Sequence, residues 1–373
     1  VRRAAIVLLG LTLAVAASSL ARLGGAAAVA GPERAALARP AGPLHRAAAA
    51  TQSGPAIEQA VAAAADLARL HSLLVSHRGE LVFERYYNGR RGSQLANVKS
   101  VSKSIISALV GIAIAQGHIP SVREPIGTYF ADLLPGKANA ARRAITIEDL
   151  LTMRSGLEST SGRRYGAWVM SSHWVRFVLT RRIETPPGIE MEYSTGNTHL
   201  LSAILTKATG VSTWAYAQRV LARPLGFSLA RWMRDPQGIY FGGNEMLLTP
   251  RQMLAFGEMY LNRGRYNGRQ IVPEDWIAAS FIPRGRSDFN GQQYGYGWWI
   301  RDFGGEQAFF AWGYGGQYIV LVPRLQLVIV TTSSTATDEA RRGHRRAIFD
   351  VVERIVEASR DTTDPAGSGG VAR

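Results

Sequence analysis

Residues 307–332 read QAFFAWGYGGQYIVLVPRLQLVIVTT. Three aromatic and β-branched runs stand out in it: Gln307–Trp312, Gln317–Val322 and Leu327–Thr332. Glycines separate the first two, and the turn signal Pro323-Arg324 separates the last two, so the stretch predicts three successive strands. Just upstream, Tyr294–Asp302 has the same character and predicts a fourth. Near the other end of the chain, Ser72–Ser76 and Leu81–Tyr87 flank the turn His77-Arg78-Gly79-Glu80 and predict a hairpin. The text between is helical. Ser100–Gln116 is apolar and stops at Gly117, and Thr146 can cap a helix whose first turn carries Glu148 and Asp149. Helical spacing recurs near Trp168–Leu179, Thr198–Ala208, Trp214–Leu221, Arg251–Leu261 and Asp275–Ser280, with terminal helices at Ala56–Leu70 and about Ala340–Ser359. The economical solution is an α/β fold of the α+β kind. One antiparallel sheet is built from both chain ends and flanked by helices, with a mostly helical domain inserted over about residues 120–285.

Outside this domain, expected over residues 55–360, the sequence changes character. Arg2 and Arg3 precede an apolar run from Ala4 to about Ala17, followed by small-residue signals at Ala14-Val15-Ala16 and Ala28-Val29-Ala30. That run is short for a membrane span of about 20 residues. Residues 1–30 therefore predict a cleaved signal peptide, with an uncleaved anchor as the second reading. Either makes this an exported protein, periplasmic or secreted, and the second leaves an N-terminal membrane association open. Residues 31–54 predict a flexible linker rich in Ala, Arg, Gly and Pro, and 361–373 a disordered tail.

Composition removes several function classes. The 373 residues contain no cysteine, which excludes thiol chemistry, disulfides and cysteine-ligated zinc. The seven histidines show no zinc spacing, and no metal or other cofactor is implied. The formal charge of +15 is carried by scattered arginines, with Lys99, Lys103, Lys137 and Lys207 the only lysines. No basic helix or aromatic-interleaved motif collects them, so nucleic acid is not an expected partner.

Against that arginine background, Ser100-Val101-Ser102-Lys103 is conspicuous. Residues three apart on a helix share a face, so the two side chains can meet. A serine hydroxyl needs a neighbouring base to become a nucleophile. Lysine can be that base where burial or nearby positive charge lowers its pKa, whereas arginine does not deprotonate. Two further motifs are weaker alone. In Glu192-Tyr193-Ser194-Thr195-Gly196-Asn197, Tyr193 can shuttle a proton and Asn197 can orient the base or bind a carbonyl, or Tyr193 can be a core residue at a helix start. In Trp312-Gly313-Tyr314-Gly315-Gly316-Gln317 the glycines allow close backbone approach to a substrate, or simply a tight turn. His199 follows closely enough to line a site, although a helix-surface position is the expected one. No Gly-x-Ser-x-Gly elbow is present.

In their order these three motifs resemble the class C β-lactamase-like, penicillin-recognising superfamily. Its members include penicillin-binding proteins, esterases and 6-aminohexanoate-dimer hydrolases. The resemblance covers roughly residues 60–355. It extends to Ile145–Leu157 (ITIEDLLTMRSGL), Pro186–Asn197 (PPGIEMEYSTGN) and Gly242–Gly264 (GGNEMLLTPRQMLAFGEMYLNRG), in flavour nearest the aminohexanoate-dimer hydrolase branch. It implies a β-lactamase/transpeptidase-like fold, Ser100 as acylated nucleophile, Lys103 as its base and Tyr193 as proton donor to the leaving group. The implied oxyanion hole is the backbone amides of Ser100 and Gly316, with Gly313, Tyr314, Gly315, Thr195 and Asn197 lining the substrate site. Two departures matter. Thr195 stands where the family often has Asn, with Asn197 two further on. Gly313-Tyr314-Gly315 carries no lysine where β-lactamases hold the penicillin carboxylate.

The expected function is thus cleavage of an amide or ester bond in a small substrate through an acyl-enzyme. The alternatives are a β-lactamase or D-alanyl-D-alanine carboxypeptidase, and a non-catalytic envelope binding module. Trp168, Trp174, Trp232, Tyr165 and Tyr314 can form an aromatic wall or pack structurally. Oligomeric state is not legible in the sequence.

Overall fold

The strands Glu306–Gly313, Gln317–Val322 and Leu327–Ser333 are buried along nearly all of their length because both faces of the sheet are covered there. The computed structural model describes residues 54–361. The expected signal or anchor segment, the expected linker short of Gly54 and the expected tail beyond Asp361 lie outside them. Eight strands form one sheet: β1 (Leu70–His77), β2 (Glu80–Tyr86), β3 (Gly285–Arg286), β4 (Gln293–Tyr294), β5 (Trp299–Phe303), β6 (Glu306–Gly313), β7 (Gln317–Val322) and β8 (Leu327–Ser333). Their order is β2-β1-β8-β7-β6-β5-β4-β3, antiparallel throughout. The N-terminal and C-terminal parts of the sheet meet where β1 pairs with β8, second and third in that order, in a register that sets Leu74 opposite Val330.

Side chains of a strand alternate between faces, and here each face has its own core. Leu74, Ile319, Leu321, Val328 and Val330 belong to one; Leu73, Val75, Tyr318, Val320 and Ile329 belong to the other. The first face is covered by helices α2 (Ser102–Ala115) and α4 (Pro250–Leu261), the second by α1 (Gly54–Ala60) and α5 (His344–Asp361). Helix α2 lies between the sheet and the helices of the chain's middle. It is buried continuously from Ser102 to Ala113, which is why it reads as apolar on every side. Helix α3 (Thr195–Thr209) packs against it and is buried from Thr195 to Leu205.

Several boundaries differ from the sequence reading, for local reasons. The expected helix 56–70 stops at Ala60, passes through a 3₁₀ turn at Ala62–Asp66, and yields Leu70 to the sheet. The expected strand 294–302 breaks at Gly295–Gly297. There Gly297 takes φ +81° and turns its carbonyl to the Ser104 hydroxyl of α2, 2.6 Å away. The expected helix 168–179 divides into Tyr165–Val169 and Trp174–Leu179, with the His173 ring accepting from the Arg176 amide to start the second. Thr146 does cap its helix, in a reciprocal capping box with Asp149.

Candidate active site

The chain enters α2 through a 3₁₀ turn, Lys99–Val101, which carries Ser100. One turn on, the Lys103 Nζ lies 3.0 Å from the Ser100 Oγ. The amine has two more partners: the carbonyl oxygen of Gly243 at 2.7 Å and the Thr195 hydroxyl at 3.3 Å. All three are uncharged. Lys103 is 2% exposed, and burial alone brings its pKa from 10.5 down to about 7. A neutral amine donates two hydrogens and accepts one. With Gly243 and Thr195 as acceptors, the lone pair is left for the Ser100 hydroxyl. Thr195 is itself held by Ser161, whose Oγ is 3.0 Å from the Thr195 Oγ1 and 2.9 Å from its backbone nitrogen.

Tyr193 closes the group. Its ring lies 4.9 Å from the Lys103 Nζ and stacks on Trp299 with 5.7 Å between centroids. Burial holds its phenol well above the ordinary tyrosine range, opposed in part by a hydrogen bond with Ser100. At neutral pH the phenol therefore stays protonated and can donate, while the amine beside it is poised to accept. Opposite environments separate the two roles: one group is a base near pH 7, the other an acid.

The remaining residues expected at the site are placed less uniformly. Gly313, at the end of β6, runs against the strand leading to Ser100. A Cβ there would sit 2.2 Å from the Val98 carbonyl oxygen, so only glycine permits this approach. Gly315 and Gly316 both take positive φ in the β6–β7 turn and pack against Ser333–Thr335. The Gly316 amide makes only a long bond, 3.4 Å, to the Gly313 carbonyl. Tyr314 is 37% exposed. Asn197 is not a hydrogen-bond partner of the lysine; its side-chain oxygen accepts from Ser155 at 3.0 Å. Thr195 takes the contact with Lys103 instead.

His199 does not lie on a helix surface. It is fully buried, 3.1 Å from Asp235, inside an aromatic box of Trp168, Trp174 and Phe241. Those two tryptophans and Trp232 are core residues. Of the proposed aromatic wall, Tyr165 and Tyr314 keep exposed surface, and Tyr165 accepts from Asn244, next to Gly243. Gly243 carries a role the sequence reading did not assign. It lies within the Gly242–Gly264 stretch that carries the resemblance, but a backbone carbonyl leaves no side-chain signal. Among the described residues no group of three or more His, Asp or Glu could hold a metal.

A family model described as Beta-lactamase matches residues 57–353. The chain belongs to the beta-lactamase family. Within this family of hydrolases, a 6-aminohexanoate-dimer hydrolase of Paenarthrobacter ureafaciens is 26% identical over 354 residues, spanning 87% of each chain. The fold is shared with EstCE1, a hydrolase with promiscuous acyltransferase activity (TM-score 0.67, 16% identity, 81% of this chain and 98% of that one). It is shared too with the D-amino acid amidase of Ochrobactrum anthropi SV3, solved with L-phenylalanine amide (TM-score 0.65, 18% identity, 84% and 100%). The resemblance to the β-lactamase-like superfamily and the sheet built from both chain ends are thereby borne out.

Proposed function

We propose that the protein is a serine hydrolase that cleaves an amide or ester bond of a small substrate through an acyl-enzyme on Ser100. The observation that carries this reading is the 3.0 Å approach of the Ser100 hydroxyl to a buried amine with only neutral partners. The Ser100 oxygen attacks the substrate carbonyl carbon as its proton passes to the Lys103 nitrogen. The amides of Ser100 and Gly316 are the proposed donors to the resulting oxyanion. As the tetrahedral species collapses, the amine or alcohol leaves with a proton from Tyr193, which is replenished from Lys103. Water then attacks the ester carbonyl, gives its proton to the same pair, and Ser100 departs with its proton restored. The 6-aminohexanoate-dimer hydrolase and the amidase make small amides the first substrates to try, ahead of β-lactams, because the β6–β7 turn has no lysine. Export from the cytoplasm, on the strength of residues 1–30, is part of the same proposal.

Labelling with a fluorophosphonate probe tests the reading, followed by a panel of linear amides, p-nitrophenyl esters, nitrocefin and penicillin. The expected result is labelling of the wild type that Ser100→Ala abolishes, with turnover of amides or esters. Labelling that survives the substitution removes Ser100 from its role. Inertness of the folded wild type to every probe favours the binding-module alternative.

A further inference from the structure

Residues 96–99 and 243–248 form a short ribbon beside the site. Ala96 pairs with Leu248 and Asn97 with Leu247, and the Val98 amide donates to the Met246 carbonyl at 3.0 Å. One strand runs directly into Ser100, and the other leads away from Gly243, the acceptor of the Lys103 amine. The ribbon thus carries two of the three groups that surround that nitrogen. At its site end both strands make a corner that side chains rarely adopt: Lys99 has φ +51° and Glu245 φ +67°. Such conformations persist only where surrounding contacts hold them. Here the two strained residues hold each other, the Lys99 Nζ lying 2.8 Å from the Glu245 Oε1. Asn97 completes the lock by donating to the Glu245 Oε2 at 2.5 Å and accepting from the Lys99 amide at 3.1 Å. The paired side chains are about one-fifth exposed, 21% and 20%, so the attraction is less screened than at an open surface.

We propose that Lys99 and Glu245 are positioning residues for the acylation step, their ion pair fixing the two left-handed corners that aim Ser100 and the Gly243 carbonyl at Lys103. The proposal rests on the serine-hydrolase reading. Neither side chain is hydrogen-bonded to the Ser100 hydroxyl or the Lys103 amine. Their effect is therefore on the reacting geometry, in which small displacements carry large rate penalties, and not on binding.

The test is the kinetics of fluorophosphonate labelling, resolved into maximal acylation rate and half-saturating probe concentration. The proteins compared are wild type, Glu245→Gln, Lys99→Gly and the charge-reversed pair Lys99→Glu with Glu245→Lys. Glycine adopts the left-handed corner without strain but is not confined to it, so Lys99→Gly removes the ion pair and leaves the corner permitted but no longer held. The expected result is a maximal rate at least roughly ten-fold lower in both single variants, with half-saturation within about two-fold of wild type and partial recovery in the reversed pair. Single variants that label at the wild-type rate, or lose rate only in step with lost folding on thermal melts, overturn the proposal. A wild type that fails to label at Ser100 overturns instead the reading it rests on.

Discussion

Lys103 donates to the carbonyl oxygen of Gly243 across 2.7 Å, and it meets no carboxylate among its hydrogen-bond partners. A salt bridge would hold the amine charged; an amide oxygen orients it and leaves it free to lose its proton. Charging a buried amine without a counter-ion costs stability, and that cost has a definite pH dependence. The folded pKa of about 7 lies below the unfolded 10.5, so the unfolded chain binds more protons between those values. The destabilisation is full below about pH 7 and is relieved as pH rises towards 10.5. Lys103→Met should therefore melt several degrees above wild type near pH 6, by about 1–4 kcal/mol, with a smaller gap near pH 10. Activity should fall roughly 10³-fold at the same time. Thermal melts at the two pH values read this directly, and a variant less stable than wild type near pH 6 contradicts it.

Tyr193 should matter in proportion to the leaving group's need for a proton. An alkyl amide expels a strongly basic amine, whereas a p-nitrophenyl ester expels a phenolate that leaves unaided. Tyr193→Phe should lower amide turnover by roughly 10²-fold and p-nitrophenyl ester turnover by less than about 10-fold. The ratio of the two kcat/KM losses is the measurement. Equal losses would contradict the leaving-group role of the hydroxyl, because phenylalanine keeps the ring stacked on Trp299.

His199 and Asp235 should be structural. The Asp235 carboxylate accepts from the Gln237 and Ile239 amides at 2.9 and 2.8 Å as well as facing the His199 ring. Removing it leaves the buried His199 ring nitrogen and two part-buried amides without their partner. Asp235→Ala should cost about 3–5 kcal/mol in urea denaturation, while the folded fraction still labels at Ser100. Loss of labelling in fully folded protein would move this pair into the site.

The architecture is legible because the inner strands are buried on both faces. Runs such as Gln317–Val322 and Leu327–Thr332 can hardly be anything else once Pro323 separates them. The Ser100–Lys103 pair was legible too, since helical spacing alone puts the side chains on one face. What escaped was set by tertiary contact. Helix α3 carries Thr, Asn and His yet is buried for most of its length, so its polar residues read as surface, and His199 was assigned there. Thr195 was singled out, but its grip on Lys103 depends on Ser161, 34 positions earlier in the chain. Gly243 contributes through its backbone, and the break at Gly295–Gly297 answers a carbonyl acceptor that Ser104 requires. None of these leaves a pattern along the chain.

Deprotonation of one amine is the hinge of the account, and the pH dependence of acylation reads it most directly. The rate of Ser100 labelling by an uncharged fluorophosphonate, followed from about pH 5 to 9, should rise with pH and reach half its plateau near 7, the value burial gives Lys103. The same rise should be missing from the residual labelling of Lys103→Met. A wild-type profile that is flat across this range, or a rise that persists unchanged in the variant, would contradict the assignment of Lys103 as the base.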